Sequence, residues 1–525
     1  MIELNFQINP NKTKIILFQK SIYTLDVKIN NTRIETVRSH AYLGITLDRN
    51  LSFGIHLKQT KAKVVDRLNM IKVINGIKTG GHPQTLLLIY KSIFRSIMDY
   101  GSSIYNNGSK TNLKILETIN NQCLRQITGC TKTTPINTLY AISAQHPPML
   151  RHKYTTSKEI ARSVYHNNAK SIPGNVNHSQ LTYQESTFVE YQQIFESISP
   201  LVYWQNDSSQ VEINTTLEPA GLLKKNINHT RLKQTVLFLM NSKYKNKPKL
   251  FTDASKVNKV CGIGIYNESS ETKYSIKLES ECCIATGELL AIHEALNIID
   301  KESLASAVIY TDSRTACQIL HLHQDCQYVP QIVMEILRKA VRWKTSFQWI
   351  PSHVNITGNE IADQLARSAL SCNVTIYNRI LLQDALWKFK QIMIDNGNLW
   401  YEEYATERGK QFFEIQNKIN NDAWFFDKNL TNEQQTRTLN RLLSGHNYTK
   451  YWKAKMKIVN DENCELCEEP ETSDHVILHC SDYNRFRSKY PFDCKFSTLA
   501  ELFKTKNIEL YIQVCNFLKE IKLDL

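Results

Sequence analysis

A chain of 525 residues is too long for one core, and its 42% hydrophobic content is enough to fill several. No stretch reaches the ~18 to 20 apolar residues of a membrane-crossing helix, and the opening MIELNFQINPNK lacks the layout of a signal peptide, so an intracellular protein is expected, with nucleus and cytoplasm both open. Thirteen scattered cysteines, an odd number, exclude a secreted disulfide framework, and a net charge of +14 suits a polyanionic partner as well as plain solubility.

Residues 1–50 read as strands. KIILF (Lys14 to Phe18) and YLGITL (Tyr42 to Leu47) are rich in β-formers and end in turn residues. From His56 to about Thr128 the pattern becomes helical, with Leu113, Leu116, Cys123, Leu124 and Ile127 near one face and Gly129 as a stop. This region is also the basic one: residues 1–150 hold 19 Lys and Arg against 7 Asp and Glu. Residues 170–248 are polar and rich in Asn, Ser and Gln, punctuated by Pro173, Pro200 and Pro248, and 151–248 is expected to form a linker with some helix. Residues 249–372 alternate strands (LFTDA, CGIGIY, KYSIKL, AVIYTD, FQWIP) with helices such as Thr286 to Asp300 and Gly358 to Leu370. That order predicts an α/β domain with a mixed sheet flanked by helices. Residues 373–450 are expected as a helical connector and 451–490 as a small Cys/His module.

Four acids stand out in 249–372. Asp253 ends the apolar strand LFTDAS and Asp312 ends VIYTDS, where an open α/β sheet usually places its chemistry. Glu288 lies early in the helix TGELLAIHEAL, whose Leu289, Ile292 and Leu296 form an apolar stripe. Asp363 follows WIPSH in the helix NEIADQLARSA. Clustered carboxylates repel one another and call for cations; magnesium prefers such oxygen ligands, and two ions together suit phosphodiester hydrolysis. Each acid alone reads equally well as a solvated or capping residue.

In this order, FTDAS, TGELLAI, YTDS and WIPSHVNITGNEIADQLA resemble the type 1 ribonuclease H family over about 125 residues. The last run matches most specifically, through Trp349, His353, Gly358, Asn359, Glu360, Ala362 and Asp363. The resemblance implies a ribonuclease H-like sheet and cleavage of the RNA strand of RNA–DNA hybrids. It also implies magnesium, as two ions, on Asp253, Glu288, Asp312 and Asp363. His353 would be a mobile histidine that assists proton transfer or product release, a task suited to a group titrating near neutral pH. The family often has Gly-Ile-Pro-Gly after the histidine. Here Asn355, Ile356, Thr357 and Gly358 stand instead, and Asn tolerates the left-handed backbone the turn needs.

NPNKTKIILF, YLGITLDRNLSFGIHL and IYKSIFRSIMDYGSSIY resemble the tail of a non-LTR retrotransposon reverse transcriptase. The resemblance implies a thumb-like, mainly helical, nucleic-acid-binding region over 1–150. No acidic pair of the polymerase kind precedes Lys12, so no DNA synthesis is expected. Near the other end, Cys464, Cys467, His475 and Cys480 give C-x2-C-x7-H-x4-C, a donor set suited to tetrahedral zinc, with His479 as an alternative ligand. The run CELCEEPETSDHVILHC resembles the knuckle that ends many insect-type retrotransposon polyproteins. Tyr483, Arg485, Phe486 and Arg487 suit either single-stranded nucleic acid or a packed helix start. The leading expectation is a hybrid-specific ribonuclease within a retrotransposon polyprotein. The alternative is a non-catalytic nucleic-acid-binding remnant of a truncated element. Protein partners are not legible.

Overall fold

A computed structural model describes residues 8–18, 25–74, 80–167, 181–205, 210–217, 229–373 and 375–523. Contacts divide the chain into two compact units. One gathers 1–156, 182–184 and 390–525; the other holds 157–181 and 185–389.

The second unit is built on a seven-stranded sheet. Its elements include, in chain order, β1 (Ile213–Asn214), α1 (His229–Asn241), β2 (Lys249–Val257), β3 (Val260–Asn267), β4 (Thr272–Leu278), α2 (Ile284–Glu302), β5 (Val308–Thr311), α3 (Arg314–His323), α4 (Gln331–Trp343), β6 (Ser346–Trp349), α5 (Thr357–Ala369), β7 (Thr375–Ile376) and the start of α6 (Leu382–Glu407), whose residues from 390 on belong to the first unit. The strand order is β7-β4-β3-β2-β5-β6-β1. β2, β3 and β4 form an antiparallel meander, and β5, β6, β1 and β7 join in parallel. This is the mixed, helix-flanked sheet that the alternation of elements predicts.

Alternation along β2 divides its side chains between two helical layers. Phe251 shares a buried cluster with Val308 and Tyr310 of β5, Leu232 and Val236 of α1 and Ala362 of α5. Ala254 points the other way, and a Cβ at Gly287 of α2 would lie 3.1 Å from its own. Two glycines in β3 let α5 approach the sheet. A Cβ at Gly264 would lie 2.1 Å from the carbonyl oxygen of Ala362, and one at Gly262 would lie 2.6 Å from Ala369 Cβ. The backbone of α5 thus rests directly on the strand.

The stretch 151–248 differs from the expected linker. β1 lies in it and extends the sheet beyond β6. Leu217 and the α1 residues Leu232 and Val236 are buried against the domain. The helix α1 belongs with the helical content expected in this stretch, whereas the edge strand has two residues and is too brief for a periodic signal. Part of this stretch, Pro173 included, lies outside the described residues.

In the first unit, YLGITL is a hairpin rather than one strand. Ser39–Tyr42 pairs with Ile45–Asp48 across a turn in which Leu43 (φ 46°) and Gly44 (φ 81°) are both left-handed. Two central residues at positive φ match the twist of a tight hairpin. In KIILF only Lys14–Ile15 is strand. The helix Lys110–Thr128 buries Leu116, Cys123, Leu124 and Ile127 and stops at left-handed Gly129, as the spacing predicts. The expected partition into separate regions at 1–150, 373–450 and 451–490 is not how the apolar side chains sort themselves. Leu116, Ile119 and Leu124 share one core with Tyr401, Leu439 and Leu442, and with Ile477, Phe503 and Phe517.

The tight seat of α5 gives the first prediction. Gly264→Ala places a methyl against helix backbone that cannot yield, and overpacking of this kind costs about 1–3 kcal/mol. Chemical denaturation should show that loss, and an unchanged midpoint would mean α5 is free to move off the sheet.

Candidate functional site

Asp253 lies in the middle of β2, not at its end. It faces Gly264 of β3 across the antiparallel pair. On its other side β5 stops at Thr311, which pairs with Thr252, so Asp312 follows beside Asp253 where that ladder ends. Glu288 reaches them from the second turn of α2. One oxygen each of Asp253, Glu288 and Asp312 come within 4.8 Å of one another. Asp253 and Glu288 are buried and Asp312 is half-buried.

Such a trio is electrostatically costly. Burial first, and then the Asp312 carboxylate, push the Asp253 pKa up to about 7. Burial, Asp253 and Asp312 hold Glu288 well above the carboxylate range. Donors are few. Ala254 N–H donates to Asp253 Oδ1 at 2.8 Å and to Glu288 Oε1 at 3.3 Å. Glu288 Oε2 is buried with no donor facing it. An orphaned buried oxygen among three carboxylates is what a hard divalent cation would satisfy.

Asp363 is placed apart from this trio, on α5, where Arg367 binds it through two contacts of 2.8 and 2.9 Å. It gathers with exposed His353 and with Glu360 into a second group whose ligand atoms also lie within 4.8 Å of one another. The two groups feel each other, because Asp363 contributes to the raised pKa of Asp253. The loop between them has the left-handed turn that the sequence suggests, with His353 at φ 58° and Asn355 at φ 59°. Both types tolerate that region better than most.

Residues of the run WIPSHVNITGNE that the sequence marks without assigning a role take up positions around the acids. Trp349 Nε1 donates to the Asp312 carbonyl oxygen at 3.1 Å, and Asn359 Nδ2 approaches Asp312 Oδ2 at 3.5 Å. Glu360 joins the His353 group. Asp384 is the least expected. Helix α2 starts at Cys283 with no side-chain cap of its own. Buried Asp384, near the start of α6, accepts from Cys283 N–H at 2.8 Å and from Thr286 Oγ1 at 2.6 Å. It supplies from a distance the N-cap that fixes the first turn of the helix carrying Glu288. Lys256 adds a second tie, donating to the Cys282 carbonyl oxygen at 2.8 Å and lying over the Trp387 ring at 4.8 Å. No local motif marks a cap that arrives a hundred positions later.

The first unit holds a different donor set. Ligand atoms of Cys464, Cys467, His475 and Cys480 lie within 4.8 Å of one another. Cys467 Sγ is 3.1 Å from His475 Nε2 and 3.8 Å from Cys480 Sγ. With metal–sulfur bonds of about 2.3 Å, a tetrahedral zinc separates two thiolates by about 3.8 Å, so the spacing fits. None of the four is in a disulfide. His479 faces elsewhere, with its Nε2 2.9 Å from the Ser497 carbonyl oxygen. Arg487 is buried and donates to the carbonyl oxygens of Cys480 and Ile477, while Tyr483 and Phe486 pack on the core. That run is therefore a packed helix start that braces the cluster.

Fold and site together define a class: an α/β domain whose mixed sheet brings three carboxylates together, two of them buried. The RNase H family model matches residues 245–371, and this part of the chain is an RNase H domain. Similar curated proteins include a probable RNA-directed DNA polymerase from transposon BS of Drosophila melanogaster, 28% identical over 127 residues. Another is the RNA-directed DNA polymerase from mobile element jockey of the same species, 29% identical over 130 residues. In each case the similar stretch covers 24% of this chain and 14% of the relative. Among the described residues, no helix is long and apolar enough to cross a membrane.

The raised Asp253 pKa sets a pH dependence. The native state retains a proton that the unfolded chain releases near pH 4. Without metal, this contribution to stability is full below about pH 4 and is lost as pH rises through about 7. Thermal unfolding in a chelator should show the midpoint falling across that window, and magnesium should restore it at the upper end. A profile that is flat and indifferent to magnesium would contradict the buried-trio geometry.

Proposed function

We propose that this chain is a divalent-metal-dependent endonuclease that hydrolyses the RNA strand of RNA–DNA hybrids, as part of a retrotransposon polyprotein. The observation that carries the reading is the buried Asp253, Glu288 and Asp312 trio within an RNase H domain, with Asp363 in electrostatic reach. The similarity to RNA-directed DNA polymerases of mobile elements supports the polyprotein context. The basic residues 1–150 would add nucleic-acid affinity beyond the nuclease domain.

In this reading Asp253, Glu288, Asp312 and Asp363 hold two magnesium ions, which when bound supply the charge that activates water and stabilises the departing oxygen. The chain contributes placement. β2 and β5 fix two acids side by side, and the Asp384 cap holds the third. His353, exposed on its left-handed loop beside Glu360 and Asp363, stands at the site's rim where it would assist proton transfer or product release. The Cys/His set in the first unit takes zinc. Its soft and borderline donors differ from the hard oxygens of the acid trio, so the two sites load different metals.

Asp253→Asn keeps the side chain's shape and removes the charge. It is expected to abolish hybrid cleavage in magnesium while circular dichroism and hybrid binding stay close to wild type. Wild-type products should carry a 5′ phosphate and a 3′ hydroxyl, as water attack implies. Near-wild-type cleavage by the variant, or cyclic phosphate ends, would remove this assignment.

The zinc site is checked by metal analysis. Wild-type protein should carry one zinc per chain, and Cys464→Ser with Cys467→Ser should lose it and lower the unfolding temperature. Absence of zinc in protein purified without chelator would count against the site.

A further inference from the structure

The first unit contains a cavity of about 360 Å³ unrelated to either metal cluster. Its wall is assembled from segments far apart in sequence: Arg125 at the end of helix Lys110–Thr128, Lys132 in the following loop, Tyr404 and Arg408 near the end of α6, and His446. No carboxylate lines it. Among the described residues, none of the three cations makes an ion pair.

Arg125 shows the imbalance most clearly. Its guanidinium is half-buried and gives one hydrogen bond, Nη2 to the Thr134 carbonyl oxygen at 3.3 Å. Its Nε is buried with no acceptor. Burial lowers its pKa, and the polar groups that oppose this are Cys130, Tyr140 and Tyr404, with no acid among them. A charge taken partly out of water needs a counter-charge, and the protein supplies none at this wall. The surrounding backbone is held firmly. Asn137 Nδ2 donates to the Arg408 carbonyl oxygen at 3.0 Å, and Gly409 is left-handed at φ 79°. A Cβ at Gly409 would strike the Asn137 and Thr138 side chains, at 2.5 and 2.8 Å. Thr138 Oγ1 is itself buried without a partner.

Rings stand beside these cations. Tyr404 lines the wall, and His446 stacks on Trp452 with centroids 4.0 Å apart. Burial pushes His446 down to about 4, so at neutral pH it is an uncharged ring with a buried, unpartnered Nδ1. Cations that seek a phosphate, next to aromatic faces, suit a strand whose bases are unpaired. A lone phosphate would need no ring.

We propose that this cavity binds a backbone phosphate of a single-stranded nucleic acid, held by Arg125, Lys132 and Arg408 with Tyr404 and His446 beside the adjoining nucleotide. This rests on the reading that nucleic acid is the partner, but not on cleavage, since the cavity shares no residue with the acid trio.

The test uses the full chain, purified without chelator, and a fluorescent single-stranded DNA oligonucleotide, which is no substrate for hybrid cleavage, so its outcome is separate from that of the nuclease assay. Arg125→Gln with Arg408→Gln should weaken binding at least about tenfold at low salt and make the salt dependence shallower by roughly 0.7 for one lost phosphate. The exposed pair Lys495→Gln with Lys506→Gln removes the same charge and should have a much smaller effect. Inorganic phosphate should compete with the oligonucleotide on wild-type protein. If Arg125→Gln does not fold, Lys132→Gln with Arg408→Gln, both at exposed positions, carries the same expectation. Equal loss in the control pair would reduce the effect to general charge and overturn the proposal. Protection of the cavity by phosphate or a nucleoside triphosphate, with oligonucleotide affinity unchanged, would overturn the strand as occupant.

Discussion

Mutual repulsion of Asp253, Glu288 and Asp312 is the constraint on which the RNase H domain turns. Their oxygens are within 4.8 Å, two of the three residues are buried, and Asp253 and Glu288 share one backbone donor, Ala254 N–H. No arrangement of that kind is stable with all three charged unless a cation enters. The rest of the unit holds the acids in place against that repulsion. The β2–β5 pairing sets two of them side by side, and the glycines of β3 draw α5 down onto the sheet. Asp384 and Lys256 tie the start of α2 to chain beyond the family match, which ends at 371.

The same constraint explains why Asp363 stands aside. Paired with Arg367 and grouped with Glu360 and His353, it lends negative potential to the trio without adding a fourth carboxylate to its closest packing. Arg367 compensates it locally. The structure thus grades the acids, from buried Glu288 to half-buried Asp363, and leaves His353 exposed beside the latter.

The main strands and helices of the domain, and the acids as candidates, are legible because each is local. Apolar runs of strand length, an amphipathic stripe and acids beside them are visible within a dozen residues. What failed was every feature made by distance. Asp384 caps a helix that starts a hundred residues earlier, so no capping motif announces it. β1 has two residues and owes its place to β6. YLGITL has a strand's composition, but Leu43 takes a left-handed conformation that a bulky residue rarely adopts, and the hairpin turn was missed. The sequence puts Asp253 at a strand end because LFTDA stops being apolar there, whereas β2 runs on to Val257 through its pairing with β3.

Distance also governs the first unit. Helix Lys110–Thr128 buries its apolar face against residues more than three hundred positions later, and Asn440 Nδ2 and Arg441 Nε donate at 2.8 Å to the carbonyl oxygens of Thr128 and Gly129 at its end. Those bonds satisfy carbonyls that a helix end leaves open. Leu439, Leu442 and Phe503 cover that face. The loops around the Cys/His set and the cationic cavity are anchored in that same core. Closing such long loops is entropically costly, so local metal binding at Cys464, Cys467, His475 and Cys480 would favour the assembly of segments that the chain itself keeps far apart.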